Sequence, residues 1–167
     1  GFTPLPAFMA TYIRRPFSMR LVRTTLRILL ASLFWFVVLS VLWVGLLGIV
    51  DPPVTWVMAD QAGEQEQFSR IRVDLKDISR SLPLSVIASE DQRFMTHNGF
   101  SWEAMKKALE RNKTAKRIKG GSTISQQTAK NAFLWPGRTY VRKGLEAWFT
   151  VLIELLWTKE RILEVYL

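Results

Sequence analysis

Hydrophobic residues are concentrated in one long run near the start of the chain and are spaced periodically in its second half. The run covers residues 28–50, which carry no charge and are rich in Leu, Val, Phe and Trp. About 20 apolar residues in a helix, at about 1.5 Å per residue, cross the hydrocarbon core of a bilayer. The pattern therefore predicts a retained transmembrane helix over 28–50.

Two alternatives exist for this run: a buried core helix and a cleaved signal peptide. The run is long for a signal peptide, and Ile49, Val50 and Asp51 make a poor small-residue cleavage site. Both alternatives are therefore weaker than the membrane anchor.

Beyond residue 74 the apolar residues recur at helical spacing. Pro83 suits the first helical position of a segment that leads to Glu90. Residues that favour helix N-caps precede four further predicted helices: Ser101; Ser122 or Thr123; Thr139; and Thr158. The helix from Thr139 is the longest, and its buried face is predicted from apolar positions 141, 145, 148, 149, 152, 155 and 156. Strand alternation is lacking, so the predicted fold is mainly α-helical.

The chain divides into four predicted segments. They are a basic arm (1–27), a transmembrane helix (28–50), a polar connector (51–73) and a helical domain (74–167). The final helix has no C-terminal cap signal before Leu167. We therefore expect the helical domain to be incomplete at its C-terminus.

Charge orients the predicted anchor. The net charge is +9. Five arginines and no acidic residue precede the apolar run, which favours a cytoplasmic N-terminus and a domain outside the cytoplasmic membrane. The rest of the chain has 18 basic and 14 acidic residues, a surplus that suits anionic lipid head groups or a phosphorylated substrate rather than nucleic acid. Without cysteine, the chain has neither disulfides nor thiolate chemistry.

The segment from Glu90 to Phe100 is the first candidate for chemistry. It contains the adjacent pair Glu90 and Asp91 and the only histidine of the chain, His97. A carboxylate beside aromatic rings is partly desolvated and suited to proton transfer. The alternative for the carboxylate pair is a solvated helix end. His97 is more often a hydrogen-bonded structural residue, and a lone histidine without cysteine argues against zinc.

The segment from Gly120 to Lys130 is the second candidate. Two glycines and two hydroxyl residues before a helix resemble an anion cradle, although an ordinary N-cap turn has the same composition. Gln126, Gln127 and Lys130 offer amide and cationic groups for sugar or phosphate oxygens. The cationic run between the two candidates is either a solvated face or a surface that steers an anionic lipid: Lys106, Lys107, Arg111, Lys113, Lys116, Arg117 and Lys119.

A third group surrounds the start of the longest helix and comprises Arg138, Arg142, Lys143 and Glu146. Arg142 and Glu146 are four residues apart, so one interpretation is an ion pair on the helix surface. The other makes Glu146 a second carboxylate of the site.

These three groups, followed by Lys159 with Ile162, Leu163 and Glu164, resemble in order four motifs of the peptidoglycan glycosyltransferases. These are the family 51 domains of penicillin-binding proteins and monofunctional transglycosylases. The resemblance covers about 84–167, and an anchor directly before the domain is most similar to the monofunctional members.

The resemblance implies a lysozyme-like helical lobe, a membrane-apposed lobe, and polymerisation of lipid II into β-1,4 glycan strands with release of undecaprenyl pyrophosphate. Its catalytic carboxylates would be Glu90, the general base, and Glu146. Its substrate-binding residues would be Asp91, Ser122, Gln126, Gln127, Lys130, Arg138, Arg142 and Lys143. No obligatory cofactor is implied, although Mg²⁺ or Mn²⁺ could bridge the pyrophosphate.

The implied partners are lipid II, the growing glycan chain and membrane lipids, with cell-division or penicillin-binding proteins as further candidates. The implied location is the bacterial inner membrane, with a periplasmic catalytic domain. A lytic transglycosylase also uses a glutamate in a helical lobe, but it does not need cations for a pyrophosphate. A non-catalytic membrane-anchored scaffold would leave the Glu90 and Gly120 segments unexplained.

Overall fold

The computed structural model describes residues 19–51, 73, 75–114 and 120–167, and these contain helices and turns but no strand. A short 3₁₀ helix spans Leu75–Asp77. The α-helices of the described residues are α1 (Met19–Ile49), α2 (Ser81–Glu90), α3 (Trp102–Asn112), α4 (Ile124–Phe133), α5 (Tyr140–Leu156) and α6 (Lys159–Tyr166). The prediction of a mainly α-helical fold is confirmed. Most of the predicted basic arm and connector lie outside the described residues.

Hydroxyl side chains begin the last four helices, as the sequence predicts. Ser101, Thr123, Thr139 and Thr158 each accept a hydrogen bond from the backbone N–H three residues later. Helix α2 differs, because it begins at Ser81 and its preceding residue makes no side-chain cap bond. Pro83 therefore lies inside the first turn, where its missing N–H leaves no helical bond unmade.

Helix α1 is long and apolar enough to cross a membrane. It begins at least nine residues before the predicted span, because residues 19–27 are helical as well. The chain divides into two compact units, Gly1–Leu39 and Ser40–Leu167. In the second unit, Ser40, Val44 and Leu47 are buried, at the i, i+4, i+7 spacing of one helix face.

Hydrogen bonds fasten the end of α1 to the later helices. The Trp157 indole N–H donates to the Val44 carbonyl at 2.8 Å. Arg161 donates to the carbonyls of Leu47 and Val50 at 2.9 and 3.2 Å. Because the last carbonyls of a helix have no donor within it, Arg161 serves as a C-terminal cap for α1.

Acidic neighbours keep the capping arginine charged. Arg161 pairs with Asp51 at 2.8 Å and with Glu164 at 2.7 Å. Burial alone would lower the pKa of Arg161, but hydrogen bonds and charge attraction from these two carboxylates raise it.

The hydrophobic core lies where α4, α5 and α6 meet and continues onto the end of α1. Phe133 and Phe149 stack at its edge, with ring centroids 4.7 Å apart. The buried core residues are Val44, Leu47, Phe94, Ile124, Ala129, Leu152, Ile153, Trp157, Ile162 and Leu163.

The predicted buried face of α5 is wrong at both ends of the helix. Val141 and Leu155 are 71% and 74% exposed. The buried residues up to Thr150 are instead Arg142, Glu146 and Thr150 itself, which are polar and follow each other at four-residue steps. A pattern of apolar positions cannot identify a face whose buried charges are paired with one another.

Candidate active site

A cleft of about 1030 Å³ opens between the end of α2, helix α3, the first turns of α4 and the start of α5. It lies within the second compact unit. All ten predicted site residues line it: Glu90, Asp91, Ser122, Gln126, Gln127, Lys130, Arg138, Arg142, Lys143 and Glu146. The structure thus brings together side chains that are up to 56 residues apart in the sequence.

Glu90 is the last residue of α2, and its side chain is exposed in the cleft. The Gln127 side-chain amide donates a hydrogen bond of 3.1 Å to Glu90 Oε2. The other described contacts leave Glu90 Oε1 open to the cleft. The carboxylate is therefore oriented from one side and accessible from the other, as a general base needs to be.

Asp91 is buried, and its carboxylate makes hydrogen bonds within the protein. Its Oδ2 accepts from the backbone N–H of Ile124 at 3.1 Å and lies 2.8 Å from His97 Nε2. His97 Nδ1 accepts from the Gly99 N–H at 3.1 Å, so the ring proton is on Nε2 and points to Asp91. Asp91 and His97 hold the loop 91–100 to the start of α4. The interpretation of His97 as a structural residue agrees with this geometry.

The glycine-rich turn before α4 is a capping box. Thr123 and Gln126 exchange bonds between side chain and backbone, and the Gln127 N–H bonds the Thr123 carbonyl. With the Ile124 N–H bound to Asp91, four of the N–H groups at this helix start are occupied. These four N–H groups are therefore not available to an anion, and the turn that begins at Thr123 fits the N-cap alternative.

Gly121 allows α3 to approach this turn. A Cβ at this position would lie 3.1 Å from the Ala104 carbonyl oxygen and from the Met105 Cα and Ala108 Cβ. The glycine is therefore needed for close packing of the cleft wall.

Glu146 also lines the cleft and is paired with two cations. Arg142 donates to Glu146 Oε2 at 3.3 Å, and Lys143 donates to Oε1. Both Arg142 and Glu146 are buried, so the alternative interpretation as an ion pair on the helix surface is wrong. Lys130 and Arg138 also line the cleft, and among the described residues neither has an ion-pair partner. This wall therefore carries a net positive charge.

The cleft lining also includes an ion-pair cluster that the sequence did not reveal as part of the site. Glu103 pairs with Lys107 at 2.8 Å and with Arg93, and all three side chains line the cleft. The hydrogen bond and charge of Lys107, then the charge of Arg93, hold the pKa of Glu103 below 4.5. In the sequence, the four-residue spacing of Glu103 and Lys107 could have indicated this ion pair, because residues four apart are neighbours on a helix.

The carboxylates of the described residues do not form a metal cage. No group of three or more His, Asp or Glu side chains there could hold a metal ion. Both oxygens of Glu146 already accept from cations. A bridging Mg²⁺ or Mn²⁺ remains a prediction that would depend on the substrate's own phosphate oxygens.

Comparison with known proteins agrees with the sequence motifs. The transglycosylase family model matches residues 57–167. Three relatives named biosynthetic peptidoglycan transglycosylase are 53% identical over 149 residues (Caulobacter vibrioides), 52% over 155 (Xanthomonas axonopodis pv. citri) and 47% over 153 (Pseudomonas aeruginosa). The matches cover 89, 89 and 88% of this chain but only 65, 63 and 66% of those relatives. The chain therefore spans about two thirds of their length.

Proposed function

We propose, from the premise that this chain belongs to the transglycosylase family, that it is the catalytic part of a peptidoglycan glycosyltransferase. Its substrate would be lipid II, and its products a β-1,4-linked glycan strand and undecaprenyl pyrophosphate. One observation carries the proposal: a single cleft holds an accessible carboxylate, Glu90, and a wall of cations around Lys130 and Arg138.

Glu90 is suited to the first half of the reaction. As general base it would take the proton from the 4-hydroxyl of the acceptor sugar, and Gln127 would hold the carboxylate in place. The hydroxyl oxygen then forms a bond to the anomeric carbon of the donor sugar. A base within reach of the reacting proton typically contributes a factor of about 10²–10⁴ to the rate.

The cations are suited to the second half. The bond between the anomeric carbon and the pyrophosphate oxygen breaks, and its electron pair leaves with the pyrophosphate. Lys130 and Arg138 would bind and neutralise that charge as it develops, which is a large catalytic contribution of preorganised sites. One displacement without a protein nucleophile inverts the anomeric centre.

Glu146 would act indirectly. Its carboxylate bonds Arg142 and Lys143, so it fixes the position of two further cations in the pyrophosphate wall. This role differs from that of Glu90, whose carboxylate faces the cleft.

The test uses the full-length protein in detergent with labelled lipid II. We expect glycan polymer and release of undecaprenyl pyrophosphate. A wild-type protein that makes no polymer would overturn the proposal. Release of 1,6-anhydro-muropeptides from finished sacculi would instead identify a lytic enzyme.

The location proposed for this activity is the inner membrane, with the N-terminus cytoplasmic and the cleft outside. Helix α1 and the arginines that precede and begin it support this orientation. Because the chain has no cysteine, single cysteines can report it. In spheroplasts, an impermeant maleimide should label Glu160→Cys directly and Thr24→Cys only after permeabilisation; the reverse pattern would invert the topology.

A further inference from the structure

We propose that Lys159 is a positioning residue for Glu90, because its ammonium group fastens the loop that follows Glu90 to helices α5 and α6. The proposal rests on the proposed function, since it concerns the geometry of that reaction. Neither Lys159 nor its acidic partner Glu154 lines the cleft, so neither belongs to the substrate-binding set.

All three N–H donors of Lys159 are used. Its Nζ lies 2.9 and 2.8 Å from the two carboxylate oxygens of Glu154 and 2.8 Å from the His97 carbonyl oxygen. It also lies 4.6 Å from the centroid of the Phe94 ring. The Lys159 side chain is only 20% exposed and that of Glu154 only 8%. The lysine is thus fixed from several directions and holds a backbone carbonyl in the middle of the loop 91–100.

Burial and hydrogen bonds also fix the part of the loop between the His97 carbonyl and Glu90. Phe94 is fully buried, and Asp91 Oδ2 is bound to His97 and to Ile124 N–H. The Gly99 carbonyl accepts from Thr123 Oγ1 at 2.6 Å. Since Asp91 follows Glu90 directly, these bonds set where the end of α2 meets the cleft.

The Lys159–Glu154 pair is also connected, through Ser125, to the helix that carries Gln127. Ser125 Oγ donates to Glu154 Oε1. Ser125 is in the first turn of α4, two residues before Gln127, whose amide bonds Glu90. The Lys159–Glu154 pair therefore helps to position two residues. It acts on Glu90 through the loop and on Gln127 through α4.

A contribution to stability alone would not require a lysine here. Well-packed apolar residues are often as stabilising as a buried ion pair. An apolar side chain would fill the space but could not donate to the His97 carbonyl. The directional hydrogen bond is what the lysine adds, and its effect is on the geometry of the loop.

The experiment separates geometry from stability with two variants. Lys159→Met leaves the Glu154 charge unpaired, so it should lower both the melting temperature and the rate. Lys159→Met/Glu154→Gln removes that charge and should recover the melting temperature. Because a misplacement of about 1 Å can cost about 10²-fold in rate, kcat for lipid II in the double variant should stay about 10²-fold below wild type with KM unchanged. Lys76→Met, at an exposed lysine of the 3₁₀ helix, is the matched control and should change neither quantity.

A second readout does not depend on activity. His97 is the only histidine of the chain, so ¹⁵N-histidine NMR observes the loop directly. The wild type should show the ring proton on Nε2 and an unprotonated Nδ1. In both Lys159 variants the loop should exchange between conformations, so this single pair of ¹⁵N signals should be lost. Lys76→Met should keep it.

Three results would overturn the proposal: a double variant with wild-type kcat, one that keeps the wild-type histidine spectrum, or one that fails to fold, which would make Lys159 a residue of stability. A wild-type protein without polymerase activity would refute the proposed function instead, and the histidine spectra would still decide whether Lys159 holds the loop.

Discussion

The Gln127 side-chain amide lies 3.1 Å from Glu90 Oε2, although 37 residues separate the two in the chain. This hydrogen bond links two segments that line the cleft, the end of α2 and the first turns of α4. It also leaves the carboxylate exposed, so a change at Glu90 should affect chemistry more than folding.

Glu90→Gln should lower kcat by about 10²–10⁴-fold, because an amide cannot accept the proton of the acceptor hydroxyl. The melting temperature should be nearly unchanged, since the side chain is exposed. Polymerisation of labelled lipid II in detergent measures kcat, and circular dichroism measures the melting temperature. Glu160→Gln, at an exposed glutamate of α6, is the control. Wild-type turnover by Glu90→Gln would exclude it as the base.

The same substitution at Glu146, unlike that at Glu90, should strongly lower the melting temperature. Glu146→Gln removes the charge that compensates the buried Arg142, and breaking a buried pair in this way costs about 3–5 kcal/mol. Thermal unfolding should show a much lower melting temperature for Glu146→Gln than for the wild type. Arg142→Met/Glu146→Met should be more stable than Glu146→Gln. If Glu146→Gln melts like Glu90→Gln, the pair does not contribute to stability.

Gly99→Ala should destabilise the loop beside the cleft. Gly99 has φ of +84°, and a Cβ there would lie 2.7 Å from Thr150 Cγ2. The left-handed conformation costs a non-glycine residue about 1–2 kcal/mol, and the steric contact adds to it. Gly120→Ala is the matched control, because no atom of the residues that the structure describes lies within 4 Å of its added Cβ. Equal melting temperatures for the two variants would contradict the described loop geometry.

Thr123→Val should lower stability by about 1–3 kcal/mol, because it removes the cap of α4 and leaves the Gly99 carbonyl without its donor. Thr123→Ser keeps the hydroxyl and should retain most of the stability. Chemical denaturation of the two variants in detergent compares them. A Val variant as stable as the Ser variant would show that the hydroxyl is dispensable.

Tyr166 should ionise above pH 10.0, its ordinary value, because burial and then the charge of Glu90 raise its pKa. The folded state therefore binds this proton more tightly than the unfolded chain does. The resulting stability is complete below pH 10.0 and is lost as the pH rises through the folded-state pKa. Absorbance of the tyrosinate measures the titration, with Tyr166→Phe as the blank. Glu90→Gln should move the pKa part of the way back; no movement would show that the two groups do not interact.

The sequence predicted the helix starts well, because capping depends on residues close in the chain. Ser101, Thr123, Thr139 and Thr158 each make the expected bond. The residues that the sequence motifs single out line one cleft, while their roles in binding and catalysis stay predictions. The prediction of the caps required no knowledge of packing.

Properties that depend on distant contacts were not predictable. The burial of Arg142 and Glu146 depends on their mutual pairing, and the hydrogen bond from Trp148 to Ser40 spans 108 residues. The same holds for Lys159, which is separated by 62 residues from the carbonyl that it binds. A local pattern indicates which residues can form such bonds but not which partners they find.

The fastening of the end of α1 limits how the protein can be made water-soluble. Val44 and Leu47 are core residues of the compact unit that contains the cleft, and Trp157 and Arg161 donate to carbonyls of the same turns. Deleting the whole apolar helix would remove part of that core, leave the buried Trp157 indole without its acceptor and take the Leu47 carbonyl from Arg161. A soluble form suited to crystallography or inhibitor screening should therefore keep residues 40–51 and replace their exposed apolar side chains, such as Leu42 and Leu46, with polar ones.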